Sequence, residues 1–365
     1  MALTHGVALS AGWLWRFLMM NYILIYRFDR LMGKKLGAER RFRHRPVPLY
    51  GRTPAEIKQH YRFDPSTILY ITRKLHATLR RRTNRSNPID PLLQVLIALD
   101  VLAHGSYAQK VASRYHVGKS SVDRVVKRFC AAVNTCLASE MRWPSEAALR
   151  DIKESFYRIA NMPGVVGLVD GMLVKIQKPP GRCQDYMCRK NYYAINCVVC
   201  AGPDNIIYAA NASWPGSVHD TRALEGSGFT QRLMQTQHGH VLGDNGYPLR
   251  DWLLTPILRP QNRAEIRYNS AHSRTRVRIE HTFGILKARF AVLSRGPMSK
   301  NPATASQMMG TCFILHNIAT RQRDHISPLA RHSIVDHQRQ HLDGVVEGGN
   351  GQAKRQEIIQ NYFRK

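Results

Sequence analysis

Acidic residues are scarce in this 365-residue chain: Asp and Glu total 25 against 54 Lys and Arg, a formal net charge of +29. A deficit of acids this large leaves a compact chain repelling itself unless a polyanion such as DNA or RNA is its partner, the alternative being a merely basic, soluble surface. Long apolar runs are also missing. Residues 7–26 look apolar, but Arg16 and Asn21 interrupt them, and the run falls short of the roughly 20 uninterrupted apolar residues of a membrane span. No membrane role is expected, and an amphipathic helix packed on the body is. A cysteine framework is absent: the seven cysteines are an odd count without repeated spacing. With no cleavable signal sequence apparent, the thiols are expected to be reduced, in the nucleus or also in the cytoplasm. No repeat with a period of about 20 to 50 residues occurs, which excludes solenoids and propellers. The apolar fraction of 44% in turn excludes wholesale disorder.

What is present suggests two domains with tails. Residues 1–50 form a basic segment in which Lys34, Lys35, Arg40, Arg41, Arg43 and Arg45 read as a nuclear import signal, a phosphate-binding arm or a solvated loop. Residues 51–147 are helical in pattern, with an apolar helix over 91–103 stopped by His104 and Gly105. Residues 106–133 then place Ala108, Val111, Ala112 and Tyr115 on one face, break at His-Val-Gly, and place Val122, Val125, Val126, Phe129 and Val133 on another. That layout predicts a helix-turn-helix in an all-α region. Its second helix would offer Lys119, Ser120, Ser121, Arg124, Lys127 and Arg128 to phosphates or base edges, or would be the charged outside of an ordinary helical hairpin. Beyond residue 322 the chain is polar and is expected to be disordered.

Over residues 148–322 the period changes. Runs rich in Val, Ile, Tyr and Cys at 165–176, 192–201 and 206–212, with turn-length gaps, predict three antiparallel strands. A helix over 220–235, a fourth strand at His240–Leu242 and a long helix over 273–293 follow. This order predicts an α/β fold of the ribonuclease-H-like kind, a mixed sheet with flanking helices. Asp170 follows the first apolar run, Asp244 follows the fourth, and Glu280 lies in the late helix. Taken singly, these are turn residues and a surface acid. Together, the fold brings the ends of the first and fourth strands side by side and the late helix across them. Three carboxylates in one place repel and raise one another's pKa unless a cation neutralises them. Oxygen-only ligands select Mg²⁺ or Mn²⁺, and two such ions roughly 3.5 to 4 Å apart can activate a water and stabilise a leaving oxygen at a phosphodiester.

In the late helix Ile279, Phe283, Leu286, Phe290 and Leu293 form the buried stripe. Glu280 stands about 100° from it, on a face shared with Arg276, Gly284 and Lys287. That face suits a metal and a phosphate backbone, with Arg276 and Lys287 as DNA contacts; an i, i+4 salt bridge between Arg276 and Glu280 is the plain alternative. Asp220 begins the helix after the third strand, as a cap, a metal ligand or both. His219 beside it orients Asp220 or the substrate, or is a packed structural residue. A zinc reading rests on Cys183, Cys188, Cys197 and Cys200, but Cys197 and Cys200 in a strand point to opposite faces.

The runs GVVGLVDGMLVKI, NYYAINCVVC, SWPGSVHDTRAL, LGDNGYPLRDWLLTP, YNSAHSRTRVRIEHTFGILKARF and ILHN resemble the DDE endonucleases of PIF/Harbinger transposases, in particular the vertebrate transposase-derived nucleases. The resemblance covers roughly residues 94–318. It implies that Asp170, Asp244 and Glu280 match the catalytic triad and that Asp220 matches a further acid of the metal site. It also implies a divalent-metal-dependent hydrolase acting on DNA, helped by a separate Myb/SANT-like DNA-binding protein; a homo-oligomer is an open expectation. The alternative is a domesticated DNA-binding or partner-binding protein that no longer cuts or transposes.

Overall fold

The computed structural model describes residues 19–21, 44–46, 49–83, 87–235, 239–295, 299–326 and 349–364. The amphipathic helix expected over 7–26, apart from 19–21, and the basic residues Lys34, Lys35, Arg40, Arg41 and Arg43 lie outside them. Arg45 lies inside and donates to the carbonyls of Asn87, at 2.6 Å, and Pro88, at 2.8 Å.

Prolines set the first helices. α1 (Pro54–Tyr61), α2 (Pro65–Leu79) and α3 (Pro91–His104) each start on one, where the missing N–H was unsatisfied in any case and φ is already helical. Thr53 and Glu56 close a reciprocal capping box on α1. α3 is buried along its whole length from Pro91 to Ala103 and ends on Gly105 at φ 60°, so it forms the axis around which the other helices pack. α4 (Ala108–Arg114) and α5 (Lys119–Cys136) are joined by a turn over 115–118, in which His116 adopts φ 51°. α6 (Glu146–Ala160) ends on Asn161 at φ 57°, and there the chain changes to strands.

β1 (Val165–Lys175), β2 (Ala194–Ala201), β3 (Ile207–Pro215), β4 (His240–Leu242) and β5 (Leu253–Leu254) form one sheet in the order β3-β2-β1-β4-β5. β1–β2 and β2–β3 are antiparallel, and β1–β4 and β4–β5 are parallel. The first four strands fall close to the expected runs; β5 is additional. The helix expected over 220–235 is two, α7 (Asp220–Glu225) and α8 (Thr230–Gln235), separated at Gly226, where a Cβ would strike the Trp214 ring at 2.3 Å. α9 (Arg263–Arg289) starts a full ten residues before the expected 273; α10 (Val292–Arg295) and α11 (Pro302–Arg321) follow.

The two faces of the sheet belong to different apolar clusters. Leu168, Met172, Cys197, Val199 and Leu242 join α3, α5, α9 and α11 in the larger one. Val166, Val169, Val198, Cys200 and Val241 pack with α7 and α8 in the smaller. Because the larger cluster includes both the N-terminal helices and the sheet, a single apolar core runs through the two. Asn317 of the ILHN run closes one edge of the sheet: its side chain accepts from the Ile207 amide at 2.8 Å and donates to the Ile207 carbonyl at 2.7 Å, doing what a neighbouring strand would do.

The tail corrects the sequence reading. Residues 349–364 were expected to be disordered, but α12 (Gly349–Ile358) and its π-helical continuation Ile359–Phe363 pack beside β5 and α9. Gly351 approaches the Arg250 backbone so closely that a Cβ would lie 2.9 Å from it, and Phe363 meets Tyr268 edge to face at 6.0 Å. A polar composition hid this, because only Ile358, Ile359 and Phe363 supply the apolar contact. No helix among the described residues is long and apolar enough to cross a membrane.

Burial holds three histidines neutral: His240 and His272 are pushed down to about 3 and His316 to about 4. Below about pH 6.5 the unfolded chain takes up protons that these folded rings refuse, so stability is full above that pH and falls as pH drops towards 4. Denaturant midpoints measured at pH 7, 5.5 and 4.5 are expected to decrease, each ring contributing on the order of 1 kcal/mol per pH unit. The raised carboxyls of Asp170 and Asp244 act in the opposite direction over part of that range, so the decisive comparison is His316→Gln: an unchanged pH dependence in that variant would contradict the burial of the ring.

Candidate active site

Parallel pairing of β1 with β4 sets Leu168 opposite Leu242, and Asp170 and Asp244 follow those partners at the same offset. The two aspartates therefore emerge side by side at the end of the pairing. Each has one carboxylate oxygen held locally: the Gly171 amide donates to Asp170 Oδ1 at 2.9 Å and the Gly246 amide to Asp244 Oδ1 at 2.9 Å. Alternation along β1 puts Asp170 on the face of Leu168 and Met172, the face covered by α9.

α9 buries Ile279, Phe283 and Leu286 against that face, as its spacing predicts. Arg276 reaches from it to Asp170, Nη2 donating to Oδ2 at 2.9 Å. Their side chains are only 16% and 17% exposed. The local pair with Glu280 is not what the Arg276 side chain forms: its ion pair runs across the site to Asp170. Glu280 lies one turn on, at the exposed rim, close enough to act on the Arg276 charge. Lys287 is half-buried further along α9.

Asp220 enters over the other side of β1. A Cβ on Gly171 would lie 2.5 Å from Asp220 Oδ1, so the missing side chain is what lets this carboxylate lie against the strand. Asn196 of β2 fixes it, its Nδ2 donating to Asp220 Oδ1 at 2.7 Å and to the Val218 carbonyl at 2.9 Å. The helix N-cap is His219, without a side-chain capping bond, and His219 is exposed, which removes its reading as a packed residue. Thr221 Oγ1 donates to the Gly246 carbonyl at 3.0 Å and ties α7 to the Asp244 loop. Asn196 and Gly171 have no chemical signature and were missed in the sequence; Tyr247, whose buried hydroxyl lacks a partner, was missed too.

Burial pushes the Asp170 carboxyl up to about 7; Arg276 and the Gly171 amide oppose the rise, and the charges of Asp244 and Asp220 add to it. Burial likewise raises Asp244, against Arg276. Burial alone would lower Arg276, but Asp170, Asp244 and Glu280 outweigh it and raise its pKa. The acids thus share one field, in which Arg276 is ion-paired to Asp170 and acts on Asp244 as well.

Elsewhere, Lys119, Arg124 and Lys127 are exposed on α5. Arg128 is turned to the end of α2, donating to the Thr78 carbonyl at 2.7 Å. Arg45, Arg81, Arg124 and Arg128 line a hollow of about 200 Å³ beside them. Cys197 and Cys200 lie on opposite faces of the sheet, and Cys197 Sγ contacts Met309 Sδ at 3.4 Å. His60, Asp100 and His104 bring three ligand atoms within 4.8 Å of one another, but Arg114 is already there. Its Nη1 pairs with Asp100 and lies 3.3 Å from His60 Nε2.

Residues 169–317 match the DDE superfamily endonucleases. The Putative nuclease HARBI1 of Homo sapiens is 34% identical over 272 residues, 73% of this chain and 78% of the relative. The chain belongs to the Harbinger-derived DDE endonuclease family. The Putative nuclease HARBI1 of Xenopus laevis is 32% identical over 265 residues, 71% of this chain and 76% of that one. Protein ALP1-like of Arabidopsis thaliana is 21% identical over 294 residues, 74% and 72% of the two chains. No solved structure matches. Membership of the DDE endonucleases implies divalent-metal use. The donor set fits: Asp170, Asp244 and Asp220, close enough for their charges to act on one another, offer carboxylate oxygens, the ligands that hard divalent ions take. Gly171→Ala is expected to displace Asp220 and lower metal-dependent plasmid nicking on the order of a hundredfold, with the thermal melt nearly unchanged. Nicking at the wild-type rate would remove Asp220 from the site.

Proposed function

We propose that this Harbinger-derived DDE endonuclease hydrolyses DNA phosphodiester bonds in the nucleus, on a ribonuclease-H-like domain, with Asp170, Asp244 and Glu280 as its catalytic carboxylates. The observation that carries the reading is the shared offset of Asp170 and Asp244 from the paired Leu168 and Leu242. Asp170 and Asp244 would hold Mg²⁺ or Mn²⁺, with Glu280 approaching from α9 and Asp220 adding a fourth acid. When bound, the metal supplies a Lewis acid that activates water and stabilises the leaving oxygen.

The protein's own part is placement. Backbone amides hold one oxygen of each aspartate, and on Asp170 the other is paired with Arg276. The apolar stripe of α9 fixes the rail on which Glu280 and Arg276 stand. Asn196 keeps Asp220 in range without a long, mobile side chain. Burial around Asp170 lowers the local dielectric, so charge placed there acts strongly on a developing oxyanion.

DNA would be held by the pair α4–α5, read as a helix-turn-helix, through Lys119, Arg124 and Lys127, with the neighbouring arginine-lined hollow taking a phosphate. In nicking assays with Mg²⁺ or Mn²⁺, Asp170→Ala and Glu280→Ala are expected to fall to background while remaining folded. If both nick as well as the wild type, the site is elsewhere; if no protein nicks, the alternative of a DNA-binding or partner-binding protein gains. Replacing Lys119, Arg124 and Lys127 by Ala should weaken duplex binding and reduce the salt slope by about one for each phosphate that is no longer neutralised. An unchanged slope would free α5 from that role.

A further inference from the structure

The oxygen that Arg276 takes is the one a metal needs. Asp170 Oδ1 is committed to the Gly171 amide, and Arg276 holds Oδ2. A carboxylate this deeply placed requires a positive partner, and guanidinium supplies one at any pH. Yet the fit is incomplete. Only Nη2 bonds to Asp170, and the Arg276 Nε is buried without a hydrogen-bond partner. A bidentate pair would use the planar fork of the guanidinium; this single contact leaves part of it unused. Glu280, one turn along the same helix, stands at the spacing of an i, i+4 ion pair, yet Arg276 pairs with Asp170. The structure thus holds a cation at the second oxygen of the first aspartate by a contact that is largely buried and made through one N–H group.

We propose that Arg276 is an internal counter-ion competing with the divalent metal for Asp170: it neutralises the carboxylate while the site lacks metal and releases it when metal binds. The inference rests on the metal-site reading above. It assigns Arg276 a positioning role distinct from a DNA contact, and it has an unusual sign. A residue that merely oriented Asp170 would help metal binding, whereas a competing cation opposes it.

The test is Mn²⁺ binding to the full chain without DNA, followed by the electron paramagnetic resonance signal of free Mn²⁺. Wild type is expected to bind and Asp170→Ala to lose that binding. Arg276→Gln is expected to bind Mn²⁺ at least about tenfold tighter than wild type, since a unit charge a few ångströms from the ion has gone. Arg276→Lys, which keeps the charge, is expected to stay near wild type. The same order should appear in the Mn²⁺-induced rise of the melting temperature, which reports binding even where the metal-free variant is destabilised. Equal or weaker binding by Arg276→Gln, with wild type binding through Asp170, overturns the counter-ion proposal. Wild-type binding that Asp170→Ala leaves intact, or no wild-type binding, overturns instead the metal-site reading beneath it.

Discussion

The acidic site hangs on the register of one short parallel pairing. β4 spans only His240–Leu242, and its alignment with β1 alone decides that Asp170 and Asp244 leave the sheet together. A slip of one residue would turn one aspartate to the opposite face. Close packing resists this: Gly167 lies where a Cβ would be 3.0 Å from Cys200 Sγ and 3.4 Å from Val241, so β1, β2 and β4 interlock at that point. β5 pairs with the far side of β4, so this central strand has no free edge to slide along.

Electrostatics separates this site from the other polar cluster in the protein. Asp100 is a single buried carboxylate. Burial works against its charge, but His104, His60 and Arg114 surround it and hold its pKa well below the usual carboxylate range. With Arg114 paired to it, that cluster is balanced, and a further cation beside it would meet repulsion despite favourable ligand spacing. Around Asp170 the balance is opposite, since burial, Asp244 and Asp220 raise its pKa and, among the described residues, only Arg276 is ion-paired with it. Ligand geometry favours the first cluster and charge the second, since desolvated acids left unneutralised are the more expensive state.

The strands and the buried stripe of α9 were legible in the sequence because each has a local cause. Alternating Val, Ile and Cys runs mark β1 to β3, and the spacing of Ile279, Phe283 and Leu286 marks the buried side of α9. What was hidden depends on contacts distant in the chain. The first part of α9 carries Arg263, Glu265, Arg267 and Asn269, and its helicity rests on an Asn262 cap and on Tyr268 packing inward. Whether Arg276 would choose Glu280 or Asp170 turns on a distance across the fold that no spacing along one helix contains. Asn196 looks like any strand residue until α7 is folded over it, and α12 looks like a polar tail until Gly351 is set against Arg250.

The continuous core gives the family boundary a different meaning from a folding boundary. The family model spans residues 169–317, yet that segment omits Val165 to Leu168, through which β1 grips β4, and α3 and α5, which share the core with α9 and α11. The endonuclease is thus not a portable module carried by a separate helical platform. The helices that would meet DNA and the sheet that holds the acids share one cooperative unit and gain or lose their structure together.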